Sequence, residues 1–196
     1  EDWWNGVKAG LKKIVPLLGN REICSVGFSG QMHGMVALDS NLNVVRKAIL
    51  WNDQRTGKQC KEITEQAGGL EKLLSITNNQ MITGYTGSKI LWMKENEPLN
   101  YAKTKFVINP KDYIRFKLSG EIATDVSDAS GTGFFNVKER KWAVGLIKKV
   151  GLKPEIFPKV YESTYVVGKV TKEASELTGI PEGTIVGGGG GDAVIS

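Results

Sequence analysis

Apolar positions recur along this chain with two periods, and the two alternate. Over residues 2–18, Trp3, Trp4, Val7, Leu11, Ile14, Val15 and Leu18 share one face of an amphipathic helix, and Gly19-Asn20 is its stop. Ile23, Cys24, Val26 and Phe28 then read as a short buried strand over 22–28. Residues 35–38 predict a second strand, residues 39–43 carry turn chemistry, and residues 44–50 return as a third, giving a β-meander. Helices are expected over 54–66, 70–74 and 88–96, with residues 81–85 as a connecting loop. Ile90, Leu91 and Met93 mark the buried face of the third, and Pro98 limits it.

The second half continues the alternation. Residues 106–108 are a short strand, and Pro110 suits the first turn of the helix that follows, which Gly120 ends. Residues 121–136 form a loop rich in Ser, Thr, Asp and Gly. A helix over 142–150, an irregular stretch over 151–165, a strand over 166–170, a helix over 172–177 ended by Gly179 and a strand over 184–186 complete the chain. No internal repeat interrupts this order. Strand–helix alternation with hairpins predicts an α/β fold around a mixed sheet.

Composition narrows the function classes. The 196 residues are 40% hydrophobic and 24% charged, an ordinary globular balance. The net charge is +5, but Lys12, Lys47, Lys72, Lys105, Lys148 and Lys172 are spread as solvated faces. No basic patch for nucleic acid emerges. Cys24 and Cys60 are too few and too far apart for a zinc site with one histidine, and two reduced thiols point to the cytoplasm. No apolar run approaches the ~20 residues of a membrane span. The start lacks a signal core, and both ends read as cut from a longer chain.

Four stretches carry chemistry. In Gly27-Phe28-Ser29-Gly30-Gln31-Met32-His33-Gly34 the only histidine follows an apolar run inside a cage of glycines. Gly30 and Gly34 allow a sharp turn and a close approach, so the His33 imidazole and the Gln31 amide can meet the hydroxyls of a polar ligand. The plainer alternative is a core histidine satisfied by a carbonyl. At the other end, Gly187 to Gly191 precede Asp192, a carboxylate just past a strand end, where open α/β sheets place ligands. Asp192 reads as a general base beside a hydroxyl or phosphate, or as a helix cap; a dinucleotide fingerprint fails because its third glycine falls on Ala193 or Val194. In the third group Asn52 or Asp53 reads as a helix N-cap and Arg55 as a surface or ion-pair residue. Asp112, Asp125 and Asp128 suggest Mg²⁺ or, in the favoured reading, structural turns.

Taken together, Ser29-Gly30-Gln31-Met32-His33-Gly34, Ile49-Leu50-Trp51-Asn52-Asp53-Gln54-Arg55, Pro110-Lys111-Asp112-Tyr113, Ser127-Asp128-Ala129-Ser130-Gly131-Thr132 and the glycine run ending at Asp192 resemble the FGGY carbohydrate kinases, in their xylulose-phosphorylating branch. The resemblance runs in order over nearly the whole chain. It implies an actin-like, ribonuclease-H-like fold, here an incomplete first domain with a mixed sheet flanked by helices. Residues 1–196 would be a partial N-terminal sugar-binding domain, without the opening phosphate-loop hairpin and the C-terminal nucleotide domain. It also implies ATP-dependent phosphorylation of a ketopentose, D-xylulose to its 5-phosphate first, with another ketose or polyol, or a non-catalytic sugar-binding module, as alternatives. Met32 and His33 match positions that contact the sugar, Asp192 matches the base that takes the hydroxyl proton, and Tyr85 lies near a loop bordering the sugar. The family commonly has Asn where this chain has Ala193, which puts the sugar's identity in question. ATP and Mg²⁺ are expected of the full-length enzyme, with none bound to this fragment and no metal ligand among the site residues. The expected partner is a small sugar, not nucleic acid or membrane, and a homodimer is compatible with the resemblance.

Overall fold

The structure is a computed structural model and describes residues 1–195. Helix α1 (Asp2–Ile14) carries Trp4 into the core and tightens into a 3-10 turn over Val15–Leu18, where Pro16 ends the regular ladder. The strand expected over 22–28 is shorter and split into β1 (Ser25–Val26) and β2 (Ser29–Gly30). Gly27 and Phe28 step out of the ladder between them, and the Phe28 carbonyl accepts instead from the Gly190 N–H at 3.0 Å. Strand β3 (Val36–Leu38) is as predicted.

The third strand of the predicted meander is not a strand. Residues 44–50 are bridged to β3 and the residue before it at two isolated points, Leu38 with Val44 and Met35 with Ile49. These bridges differ in register by two residues, so a bulge lies between them. Arg46 sits in that bulge, with Nε and Nη2 on the Glu97 carboxylate at 2.8 and 3.1 Å and Nη1 on the Lys47 carbonyl at 2.6 Å. The side chain's ion pair and the backbone it captures replace the missing ladder.

Helices α2 (Gly57–Ala67), α3 (Leu70–Thr77), α4 (Thr86–Asn96) and α5 (Pro98–Lys103) follow. Helix α2 begins later than predicted, and Thr56 rather than Asn52 or Asp53 holds the N-cap position. Asp53 instead folds back on Arg55, accepting its backbone N–H at 3.0 Å and pairing with its guanidinium at 2.8 Å. Pro98 bounds α4 as expected and also opens α5, which the sequence pattern did not reveal.

Strand β4 (Phe106–Ile108) pairs antiparallel with β3. Helix α6 (Pro110–Ser119) has Pro110 in its first turn and ends at Gly120 with φ +76°, both as predicted. The loop expected over 121–136 contains regular structure: β5 (Ala123–Asp125), the short helix α7 (Val126–Ser130), capped by the Asp125 carboxylate, and β6 (Phe135–Asn136). Then come β7 (Lys141–Trp142), α8 (Val144–Lys149), β8 (Lys159–Tyr161), β9 (Val166–Lys169), α9 (Lys172–Thr178), β10 (Ile185–Gly187), β11 (Gly190–Gly191) and α10 (Asp192–Ile195). The stretch taken as irregular, 151–165, thus holds β8, which pairs parallel with β5.

The pairing that matters for function joins the two ends of the chain. Strand β1 runs parallel to β10, and β2 runs parallel to β11, with Ser29 opposite Gly190 and Gly30 opposite Gly191. Antiparallel β9 flanks β10 on its other side, so the sheet is mixed. Two apolar clusters hold this frame. Ile63, Leu73, Ile90, Met93 and Phe134 centre one, between α2, α3, α4 and α8. Trp4, Leu38, Ile108, Leu118 and Val186 centre the other, between α1, α6, α9 and the strands. The six lysines taken as solvated faces are all exposed. Cys24 and Cys60 are both free thiols. Among the described residues no helix is long and apolar enough to cross a membrane.

Candidate functional site

Parallel pairing delivers two chemical groups to the same edge. Strands β2 and β11 end side by side; the first is followed by Gln31, Met32 and His33, the second by Asp192. Gly191 is buried, and a Cβ there would overlap the Met32 side chain, so glycine is what lets the β11 backbone lie against Met32. The carboxylate of Asp192 begins one residue further on and is exposed. Its Oδ1 accepts the Ala193 N–H at 2.9 Å. Asp192 therefore heads the short α10 as well as facing the His33 side of the sheet; its charge reaches the imidazole.

His33 is half-buried and takes φ +68°, rare for a residue with a Cβ. The Gly34 N–H returns to the Met32 carbonyl at 2.9 Å, closing a three-residue turn around it. The ring's Nδ1 lies 3.0 Å from the Gly131 carbonyl. A carbonyl only accepts, so Nδ1 carries the hydrogen and the neutral ring presents an unprotonated Nε2. Burial pushes the imidazole below its usual pKa and the Lys89 charge adds to that, against the opposing pull of the Gly131 carbonyl and Asp192. At neutral pH the ring is an acceptor for a hydroxyl proton. A Cβ on Gly131 would lie 2.5 Å from Nδ1, so this position keeps the loop after α7 in reach of the ring.

Tyr85 completes this wall. Its ring lies 4.8 Å from the imidazole, tilted by 44°. Its hydroxyl lies 3.5 Å from Asn79 Oδ1, and Asn79 Nδ2 donates to the Ser130 carbonyl at 3.3 Å. Burial raises the Tyr85 phenol's pKa, so it remains protonated. Gln31 is placed apart. It lines a cavity of ≈ 350 Å³ with Trp3, Phe28, Pro110 and Ile114, on the α1–α6 side. Met32, His33, Tyr85 and Asp192 thus form one neighbourhood, and Gln31 points the chain toward another.

The three aspartates are structural, as the favoured reading expects, and not a cation site: Asp125 caps α7 and Asp112 closes the capping box of α6. Asp112, Asp125 and Asp128 have carboxylate oxygens within 4.8 Å of one another. The ammonium of Lys111 lies between them, 2.7 Å from Asp112, 3.0 Å from Asp125 and 3.3 Å from Asp128. Arg115 adds a second cation, 3.1 Å from Asp112. The space Mg²⁺ would need is filled by a lysine, and these residues do not fit the metal. The balance of charge is instructive: two cations face three carboxylates, all fully buried. Burial, together with the neighbouring Asp112 charge, pushes the Asp128 carboxyl up to about 8, so it keeps its proton and the cluster is neutral. Lys111 holds Asp125 below the usual carboxylate range against the cost of burial, with Ser127 assisting.

This cluster grips the strand that leads to Asp192. The Gly188 carbonyl accepts from Arg115 Nη1 at 2.7 Å and Lys111 Nζ at 3.3 Å. Ser127 Oγ donates to Asp125 Oδ2 at 2.6 Å and accepts the Gly191 N–H at 2.9 Å. Sequence reading missed Lys111, Arg115 and Ser127 as parts of the site. Lys111 and Ser127 stood inside two of the quoted motif stretches without a role, and Arg115 was marked only by its place one turn after Lys111 and Asp112 on the same helix.

The chain matches the N-terminal-domain profile of the FGGY family of carbohydrate kinases over residues 1–196. It is 39% identical to the xylulose kinase of Bacillus subtilis (strain 168) over 194 residues, 98% of this chain and 38% of that protein. Among solved structures it superposes on the xylulose kinase of Rhodospirillum rubrum with a TM-score of 0.93 at 27% identity, covering 98% of this chain and 40% of the other. It superposes on a gluconate kinase from Lactobacillus acidophilus with a TM-score of 0.86 at 26% identity, covering 98% and 39%. The fold is that of the actin-like sugar kinases. The chain spans well under half the length of these relatives.

Proposed function

The chain belongs to the FGGY family of carbohydrate kinases, and from that premise we propose that it forms the acceptor side of an enzyme that phosphorylates a ketopentose with ATP, D-xylulose to D-xylulose 5-phosphate first. The observation that carries this reading is the parallel pairing of β2 with β11, which sets Asp192 beside Met32 and His33. In this reading Nε2 of His33 accepts a sugar hydroxyl, Met32 and Tyr85 cover the apolar face of the sugar, and Asp192 takes the proton of the attacking hydroxyl. Gln31, which lines the cavity beside α1, stands outside that set.

The chemistry suits these groups. Phosphoryl transfer asks the protein mainly to position, to neutralise charge and to orient the nucleophile. ATP would supply the electrophilic phosphoryl group and Mg²⁺ would offset its negative charge; the acidic cluster around Lys111, filled by the ammonium, does not fit that metal. The chain's own residues hold the acceptor and receive its proton. An exposed carboxylate one residue beyond a buried glycine is free to meet a hydroxyl and release the proton to water.

A neutral acceptor is favoured over an anionic one. The described groups at the site are a neutral imidazole, a phenol and a carboxylate, and the nearest cation, Lys89, is buried with its ammonium on two carbonyls. Nothing there offers a paired charge to an aldonate. Ala193 keeps a second reading open, another neutral ketose or polyol, because a methyl stands where related kinases commonly carry an amide. The test is a panel of xylulose, ribulose, xylitol and gluconate assayed with the whole protein. Xylulose is expected to have the highest kcat/KM; gluconate ahead of every neutral acceptor contradicts the reading.

Replacing His33 should act on binding. Losing one buried hydrogen-bond acceptor to the sugar costs about 1–2 kcal/mol, so His33→Ala is expected to raise the acceptor KM about tenfold with kcat within about threefold. Steady-state kinetics with varied sugar at saturating ATP checks it, and an unchanged KM removes His33 from the sugar's contacts.

A further inference from the structure

Among the described residues two lysines are buried with no exposed ammonium, Lys89 and Lys111. Lys111 is surrounded by carboxylates. Lys89, on α4, has none within ion-pair distance among the described residues, and an ammonium buried without an anion is costly. Its Nζ donates instead to two backbone carbonyls, His33 O at 2.8 Å and Gly84 O. These carbonyls belong to two separate loops. One is the strained turn at His33, φ +68°. The other immediately precedes Tyr85, whose ring meets the imidazole at 4.8 Å.

We propose that Lys89 is a positioning residue of the acceptor site: its buried ammonium ties the His33 turn to the Tyr85 loop and so sets the imidazole against the Gly131 carbonyl with Nε2 free. This rests on the reading of His33 as a sugar contact. The turn at His33 is held from both sides, by the Gly34 N–H on the Met32 carbonyl and by Lys89 on its own carbonyl. Without the ammonium the His33 carbonyl has no other donor in the described residues, and a non-glycine residue at positive φ relaxes when its restraint is lost. The charge acts on the ring as well, lowering its pKa and favouring the neutral form that accepts a hydroxyl.

Burial lowers the Lys89 pKa to about 8, opposed by Asp53 on the loop before α2 and by Cys60 on α2. Those two groups and His33, itself within reach of Asp192, are the titratable groups that bear on it. The clamp is therefore charged at neutral pH and weakens as pH rises through about 8, and the acceptor KM should rise across the same range.

The experiment uses the whole protein with Lys89→Met, His33→Gln and the unaltered form, reading the acceptor KM and kcat with xylulose and the His33 ring titration by NMR, assigned by its loss in His33→Gln. Lys89→Met is expected to raise KM about tenfold, to leave kcat within about threefold, and to move the His33 midpoint upward. A variant that melts earlier but keeps both KM and the ring titration overturns the proposal, because packing alone then explains Lys89. If Lys89→Met moves the ring titration while neither variant moves KM, the clamp stands and the sugar-contact reading of His33 falls. Should Lys89→Met fail to fold, the unaltered protein decides: the His33 resonance is expected to show a second inflection near pH 8, and a flat trace from pH 7 to 10 overturns the coupling.

Discussion

Asp192→Asn is expected to lower kcat for ATP-dependent sugar phosphorylation by about two to four powers of ten, the usual contribution of a general base, and to leave sugar binding nearly intact. Asparagine is the right replacement. Its side-chain oxygen can still accept the Ala193 N–H that Asp192 Oδ1 holds at 2.9 Å, so α10 keeps its start. What disappears is the carboxylate that receives the proton. The kinetic pattern separates this role from a cap: a lost cap lowers the melting temperature and leaves turnover per folded molecule alone. Sugar affinity measured by calorimetry without nucleotide is expected to change less than threefold, because the contacts assigned to Met32, His33 and Tyr85 remain. A variant with near-normal kcat removes Asp192 as the base.

The second large effect is on stability. Lys111→Met should cost about 3–5 kcal/mol, the range for removing one partner from a buried ion pair. The lysine faces Asp112, Asp125 and Asp128 with no exposed surface on any of the side chains. Its loss leaves those carboxyls with Arg115 alone as a counter-charge. Urea unfolding of the protein with and without the substitution measures it. Asp128→Asn should behave in the opposite sense. Asp128 holds its proton up to about pH 8 in the folded state, whereas the unfolded chain releases it near its ordinary value of 3.8. Between those pH values the folded state binds more protons, so this residue makes stability fall as pH rises from about 4 to 8. An amide cannot ionise, and Asp128→Asn is expected to flatten that slope. Asp125 works elsewhere: its lowered pKa adds stability above its ordinary value of 3.8, which is lost as pH falls through the lower folded value. The two windows do not overlap. A Lys111→Met protein as stable as the parent shows that the cluster does not hold the β11 strand in place.

Much of this was legible in the chain. The apolar spacing over 2–18 marked α1 and the 3-10 turn after it, and the Pro110–Gly120 punctuation and the 172–177 segment stopped by Gly179 gave α6 and α9 nearly to their ends. The glycines around His33 and before Asp192 marked the two close approaches that the parallel pair β2–β11 makes. The departures came where side chains replaced backbone ladders. Arg46 turned the predicted third strand into a bulge by taking Glu97 and the Lys47 carbonyl. Asp125, read within a loop, both closes β5 and caps α7, because its partners Lys111 and Ser163 come from distant parts of the chain. Local pattern carries no trace of such partners.

The buried cations were the hardest to see. Lysine is a surface residue by default, and six of those in this chain sit on the surface as expected. Lys89 gave one local hint, its place next to Ile90 and Leu91 on a buried helix face. Lys111 gave another, its adjacency to Asp112. Neither hint distinguishes a buried ammonium from one that reaches out along its aliphatic stem. That the Lys111 ammonium sits between the three carboxylates is a tertiary fact, and it decides the question of Mg²⁺ against the metal.

The most direct measurement is a crystal structure of the whole protein with D-xylulose bound. The account predicts the sugar between Met32, His33 and Asp192, its phosphorylatable hydroxyl within about 3 Å of an Asp192 carboxylate oxygen and another hydroxyl on His33 Nε2. A sugar seated elsewhere, or one that meets His33 while Asp192 lies beyond the reach of any of its hydroxyls, contradicts it.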